Sequence, residues 1–76
     1  MDKGLLDQVR QIAADVFGIP LAIVSPDSSP DTIDTWDSIA HLNFVLALEQ
    51  RFGLQLEPEE IEEMLSVGKA AMLVRR

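Results

Sequence analysis

Apolar residues recur along the first stretch of the chain at helical spacing. Leu5, Leu6, Val9, Ile12, Ala13 and Val16 follow i, i+1, i+4, i+7, i+8 and i+11. At about 100° per residue they form a stripe about 120° wide, which marks a helix packed on one side. Lys3, Asp7, Arg10, Gln11 and Asp15 fall off that stripe. The pattern predicts a helix over residues 3–17, stopped by Gly18 and kept from resuming by Pro20. Periodicity is then lost over residues 18–36, which hold Pro20, Pro26, Pro30, Ser25, Ser28 and Ser29. Loops beyond about 12–15 residues are uncommon in compact domains and are often functional. Leu21, Ile23, Val24 and Ile33 give this one apolar anchors, so it is expected to be ordered.

Helical spacing returns over residues 37–52. Asp37 is placed as the N-cap, its carboxylate accepting from free N–H groups of the first turn, and Gly53 is the stop. His41, Val45, Leu48 and Phe52, with Phe44 alongside, make the inward face. Ile39, Asn43, Leu46, Ala47 and Gln50 make the outer face, which carries unusually little charge for a solvated helix. Ser38 stands at the helix start, between the two faces. A short third helix is expected over 58–65, with Pro58 at its first position and Ile61, Met64 and Leu65 facing inward. Ser66 would cap a last helix over 67–75, whose inward set is Val67, Ala70, Ala71 and Val74. Arg75 and Arg76 suit its negative end. Nothing reads as a strand. The expectation is all-α: a small four-helix bundle with a long loop between helices 1 and 2 and a short third helix.

The chain has 76 residues, short enough that one domain over 1–76 is expected. Thirteen acidic residues against six basic give a net charge of −7. Phosphates repel such a surface, so no nucleic-acid partner is expected. No run approaches the roughly 18 apolar residues of a membrane span, and no signal peptide is visible, which points to a cytoplasmic location. With no cysteine and one histidine, disulfides, multi-ligand metal sites and most catalytic triads fall away. Asp27, Ser29 and Asp31 mimic the start of a calcium loop, but Thr32 replaces the needed glycine and Ser38 the closing glutamate. No metal is expected. No nucleophile, base and orienting group form a set, so a binding or carrying role is favoured over catalysis.

The informative stretch is Asp37-Ser38-Ile39 at a helix start. It follows the long Ser/Pro/Asp loop and opens TWDSIAHLNFVLALEQRFGLQL; PEEIEEM and SVGKAAMLV come after it. Here the chain resembles the acyl carrier protein family, the phosphopantetheine-binding carrier domains, over nearly its whole length. The resemblance implies an acyl-carrier-like bundle that shuttles substrates and is not an enzyme. It implies that Ser38 bears 4′-phosphopantetheine, installed from coenzyme A by a holo-acyl-carrier-protein synthase or other phosphopantetheinyl transferase. It implies acyl or aminoacyl groups held as thioesters on that arm, and partner enzymes that load and transfer them. Asp37 and Ile39 would help the synthase engage Ser38; isoleucine stands where the family usually has leucine.

Other residues carry two readings each. Trp36 either packs the loop end onto the core or contacts the arm or a partner. His41 is either a satisfied, partly buried histidine or a contact to the arm or acyl group. Glu57, Glu59, Glu60, Glu62 and Glu63 are either a solvated face or a docking surface for basic patches on partner enzymes. Asn43, Leu46 and Gln50, on the outer face of helix 2, are further docking candidates. Where fatty-acid-synthesis members usually carry acids on that helix, this chain has Ala40, Asn43 and Gln50, with Glu49 remaining. That departure favours a dedicated, discrete carrier for a specialised lipid, polyketide, nonribosomal-peptide or envelope-polymer pathway; a monomer is expected, and a lone carrier of this kind suggests a bacterium. The rival from another class is a small acidic helical protein-interaction module without a prosthetic group.

Overall fold

The computed structural model describes residues 2–75, with side chains from Gly4 onward. Lys3, placed above on the solvent side of the first helix, and Arg76, assigned to the end of the last, therefore lie outside what is described. Four helices follow one another: α1 (Asp2–Phe17), α2 (Ser38–Phe52), α3 (Pro58–Glu63) and α4 (Val67–Arg75). A single 3-10 turn, Leu21–Ile23, interrupts the long first connection. No strand occurs among the described residues. The Cα radius of gyration, 11.0 Å, matches the roughly 11 Å expected of a fully packed chain this long.

α1 is the element on which α2 and α4 both pack. Val9 and Ala13 of its stripe are buried, and Leu5, Leu6, Ile12 and Val16 pack partly buried at the margin. Ala14 and Phe17, outside the predicted stripe, are buried too, because a helix covered from two sides hides a wider arc. Phe17 stacks on Trp36 with ring centroids 4.6 Å apart and tilts against Phe44 at 5.3 Å. Trp36 meets Phe44 edge-on at 5.6 Å. Aromatic pairs in these offset and edge geometries add to the area they bury. Leu48, Met64, Val67 and Ala70 are fully covered around them.

Both predicted glycine stops hold. Gly18 and Gly53 take left-handed φ of 67° and 64°, the conformation a Cβ penalises. The next residues, Ile19 and Leu54, donate back to the Ala14 and Glu49 carbonyls at 3.1 Å and so close the helix ends.

The long connection is ordered, by fewer apolar anchors than expected and more hydrogen bonds. Val24 and Ile33 are buried. Leu21 and Ile23 are not: Ile23 is 62% exposed. Backbone bonds hold their turn instead. Arg10 on α1 donates Nε–H to the Val24 carbonyl at 2.7 Å and Nη2–H to the Leu21 carbonyl at 3.2 Å. The turn therefore needs no buried side chain of its own. Further along, the Ser28 and Pro26 carbonyls accept from the Val67 and Gly68 N–H groups at 3.0 and 2.9 Å. Loop and α4 thus satisfy one another's free backbone groups.

α3 is shorter than expected. It ends at Glu63, because Met64 (ψ 71°) turns the chain out of the helix. Met64 still faces the core, but Leu65 is turned outward and is 61% exposed, which corrects its inward assignment. Ser66 caps α4 as expected, its hydroxyl accepting from the Lys69 N–H at 3.1 Å.

Candidate functional site

α2 starts where the sequence placed it. Asp37 adopts an extended backbone and its carboxylate accepts the Ala40 N–H at 2.8 Å, so it is the N-cap. Ser38 is then the first helical residue and is exposed. Trp36, just before the cap, is buried beneath it. Cap and anchor together fix where the serine sits: the indole is locked in the core, and the helix N-terminus is held two residues later.

Ser38 opens onto a groove of about 470 Å³. Pro30 and Trp36 of the loop, Asp37, Ser38, His41 and Leu42 of the α2 start, and Glu62 and Leu65 beyond the cleft line it. Volumes of this order hold drug-sized ligands. Trp36, Asp37, Ser38, His41 and Glu62 were singled out from sequence, and the fold brings them together. Pro30, Leu42 and Leu65 were missed. Leu42 was within reach, since it stands four residues after Ser38 on one helix face. Pro30 and Leu65 come from distant segments and have no local signal.

His41 fits both of its readings. It is half-buried and also lines the groove. Its Nδ1 accepts from the Trp36 Nε1–H at 3.0 Å, and its Nε2 lies 2.8 Å from the Ile61 carbonyl. Indole nitrogen can only donate and a carbonyl can only accept, so one form satisfies both: neutral imidazole with the proton on Nε2.

The outer face of α2 is apolar. Ile39 is 71% and Leu46 54% exposed, and Leu42 extends the same stripe toward the groove. Asn43 and Gln50 are exposed beside them. Ala47, assigned to this face, is half-buried in a recess shared with Ile12 and Val16 of α1. Glu49 is not a free surface charge: its Oε2 accepts the Leu56 N–H at 2.9 Å and holds the α2–α3 connection. Among the glutamates, Glu57, Glu59, Glu62 and Glu63 are exposed, whereas Glu60 is half-buried and accepts the Glu57 N–H at 2.8 Å.

Ser38 thus presents an exposed hydroxyl in the first turn of a helix, beside an open groove. The helix end stabilises a phosphate, and the groove leaves room for a flexible group beside it. The residues present therefore fit a phosphodiester-linked arm. Such an arrangement suits a carrier class of protein, in which a side chain is modified and then presented to others.

Comparison with known proteins gives the same class. The family model described as the phosphopantetheine attachment site matches residues 7–73. The acyl carrier protein of Acidothermus cellulolyticus is 33% identical over 67 residues, covering 87% of this chain and 79% of that protein. Those of Thermobifida fusca and Rubrobacter xylanophilus are 27% and 29% identical, covering 87% of this chain and 84% and 82% of theirs. The chain belongs to the acyl carrier protein family. It is a phosphopantetheine carrier and not an enzyme, with a covalently attached 4′-phosphopantetheine as its prosthetic group. The interaction module without a prosthetic group is thereby set aside. A phosphopantetheinyl transferase and acyl-handling enzymes are its partners in general. No described helix is long and apolar enough to cross a membrane.

Proposed function

We propose that Ser38 is the residue that bears the arm, and that the chain is a dedicated carrier of acyl or aminoacyl groups for a specialised pathway. The observation that carries this reading is the exposed Ser38 hydroxyl, held behind the Asp37 cap at the mouth of the groove. When bound, the arm supplies a terminal thiol that takes up acyl groups as thioesters. The protein's own part is to hold the attachment point rigid and to show partners a recognisable surface. Asp37 and Ile39 flank Ser38 and are the first side chains a transferase meets.

The surface supports the specialised role. The apolar stripe of Ile39, Leu42 and Leu46 begins at the attachment point. Partner enzymes that dock there read shape and apolar contact, with Asn43 and Gln50 at the edge. Glu57, Glu59, Glu62 and Glu63 add a long-range attraction for basic partners, which speeds encounter more than it tightens the complex. The carrier acts as a cytoplasmic monomer and a single domain.

The test is intact-protein mass after incubation with coenzyme A, magnesium and a broad-specificity phosphopantetheinyl transferase. The wild type gains one phosphopantetheinyl group, and Ser38→Ala gains none while keeping its helical circular dichroism. A group found on Ser38→Ala, or on neither protein with several transferases, refutes Ser38 as the site.

A further inference from the structure

His41 ties three parts of the molecule at the foot of the attachment site. It stands on the same turn of α2 as Ser38, and its ring is bonded to Trp36 of the loop and to the Ile61 carbonyl of α3. α3 depends on such ties. It is six residues long and holds no fully buried side chain between Pro58 and Glu63. Behind the imidazole, Phe44, Leu48 and Met64 are completely covered members of one packed core. The groove at Ser38, by contrast, is open, with Leu42 and Leu65 exposed on its walls.

We propose that His41 is a specificity-determining residue: it latches α3 to α2 and keeps the carried group outside the core, which fits this chain to short acyl or aminoacyl cargo lying in the surface groove. The inference rests on Ser38 being the attachment residue. An alkyl chain gains by leaving water in proportion to its apolar area, so a long one favours the interior wherever the interior opens. Here opening has two costs. Close-packed side chains must move, and they do not compress. The part-buried bond between Nε2–H and the Ile61 carbonyl must also break. The open groove offers a short group apolar contact along Leu42 and Leu65, whereas a long chain overhangs into solvent.

The experiment loads the full-length chain from butanoyl- or decanoyl-coenzyme A with a phosphopantetheinyl transferase, with loading verified by intact mass. Hydroxylamine cleavage of each thioester is then timed, and the amide shifts of Phe44, Leu48 and Met64 are recorded. In the wild type the two thioesters are cleaved at rates within about twofold, and the three core amides do not respond to chain length. In His41→Ala the decanoyl thioester alone is cleaved about tenfold more slowly, as removal of the latch lets the chain populate the core. His41→Phe, which fills the space but can bond neither Trp36 nor Ile61, replaces it if the alanine variant does not fold, with the same slowing expected. Wild-type protein that shields decanoyl and shifts its core amides overturns the inference, as does a variant in which hydroxylamine still cleaves both thioesters equally. In those cases the carrier reading stands, because the mass shows the load; a chain that takes up no group at all overturns both.

Discussion

Replacing Arg10 by methionine tests how the long connection is held. Arg10 lies on α1 and donates three N–H groups, two of them to the loop. Its Nε–H meets the Val24 carbonyl at 2.7 Å, its Nη2–H the Leu21 carbonyl at 3.2 Å, and its Nη1–H the Asp7 carboxylate at 3.2 Å. These contacts differ in worth. Asp7 is exposed, so that ion pair contributes about 0.3 kcal/mol. The Leu21 turn is also exposed, and water takes over its carbonyl at a cost of about 0.5 kcal/mol. The Val24 bond is part-buried, short and charge-assisted, and losing it costs about 1.5–2 kcal/mol. Methionine keeps the apolar stem, so the loss is about 2–3 kcal/mol, out of about 4–11 kcal/mol for a chain of this length. At about 4–8 °C per kcal/mol, the melting temperature falls by about 10–20 °C. Arg10→Lys loses most of the same amount, because one ammonium cannot fork between two carbonyls. Asp7→Asn scarcely moves the midpoint. Urea and thermal unfolding followed by far-ultraviolet circular dichroism measure all three. Arg10→Met within about 0.5 kcal/mol of wild type would show that the buried Val24 and Ile33 side chains hold the loop without the arginine.

Three further outcomes follow from the same structure. A Cβ at Gly68 would sit 3.0 Å from the Pro26 carbonyl oxygen, whereas one at Gly4 would meet nothing within 4 Å; Gly4→Ala therefore raises stability by about 0.5 kcal/mol, while Gly68→Ala lowers it in thermal melts despite the same gain in helix propensity. Leu46→Glu, at a side chain 54% exposed, leaves the melting temperature within about 2 °C but weakens binding to a loading enzyme in a titration; an unfolded variant would show that Leu46 belongs to the core. Raising salt from low to moderate ionic strength raises the melting temperature, because thirteen acidic residues face six basic ones and screening shortens the reach of their repulsion to about 10 Å at 0.1 M; a flat salt series would remove charge repulsion as a limit on stability.

Helices, their stops and the exposed serine at the start of α2 were legible because each rests on neighbours in sequence. The 3.6-residue period of α1 and α2, the glycines at 18 and 53, and the Asp37 and Ser66 caps all depend on contacts within one turn. Assignments failed where a residue's surroundings come from elsewhere in the chain. Leu21 and Ile23 were expected inside because they are apolar, but their turn is held through its carbonyls by an arginine more than ten residues earlier. Leu65 was assigned by helical phase, and the phase broke one residue before it. Glu49 and Glu60 read as surface charge until their backbone partners were seen.

The amino-acid sequence by itself determined that this protein is all-helical and that a serine hydroxyl stands at the start of α2, since helix period, capping and a local motif are properties of adjacent residues. Tertiary structure alone decided what surrounds that hydroxyl. A proline from the loop, a leucine past α3 and an imidazole bridged between Trp36 and Ile61 meet beside Ser38 only once the chain is packed. The physical reason is the range of the interactions. A helix is set by bonds four residues apart, whereas this groove is the space left between segments as far apart as Pro30 and Leu65, and no local pattern records its shape.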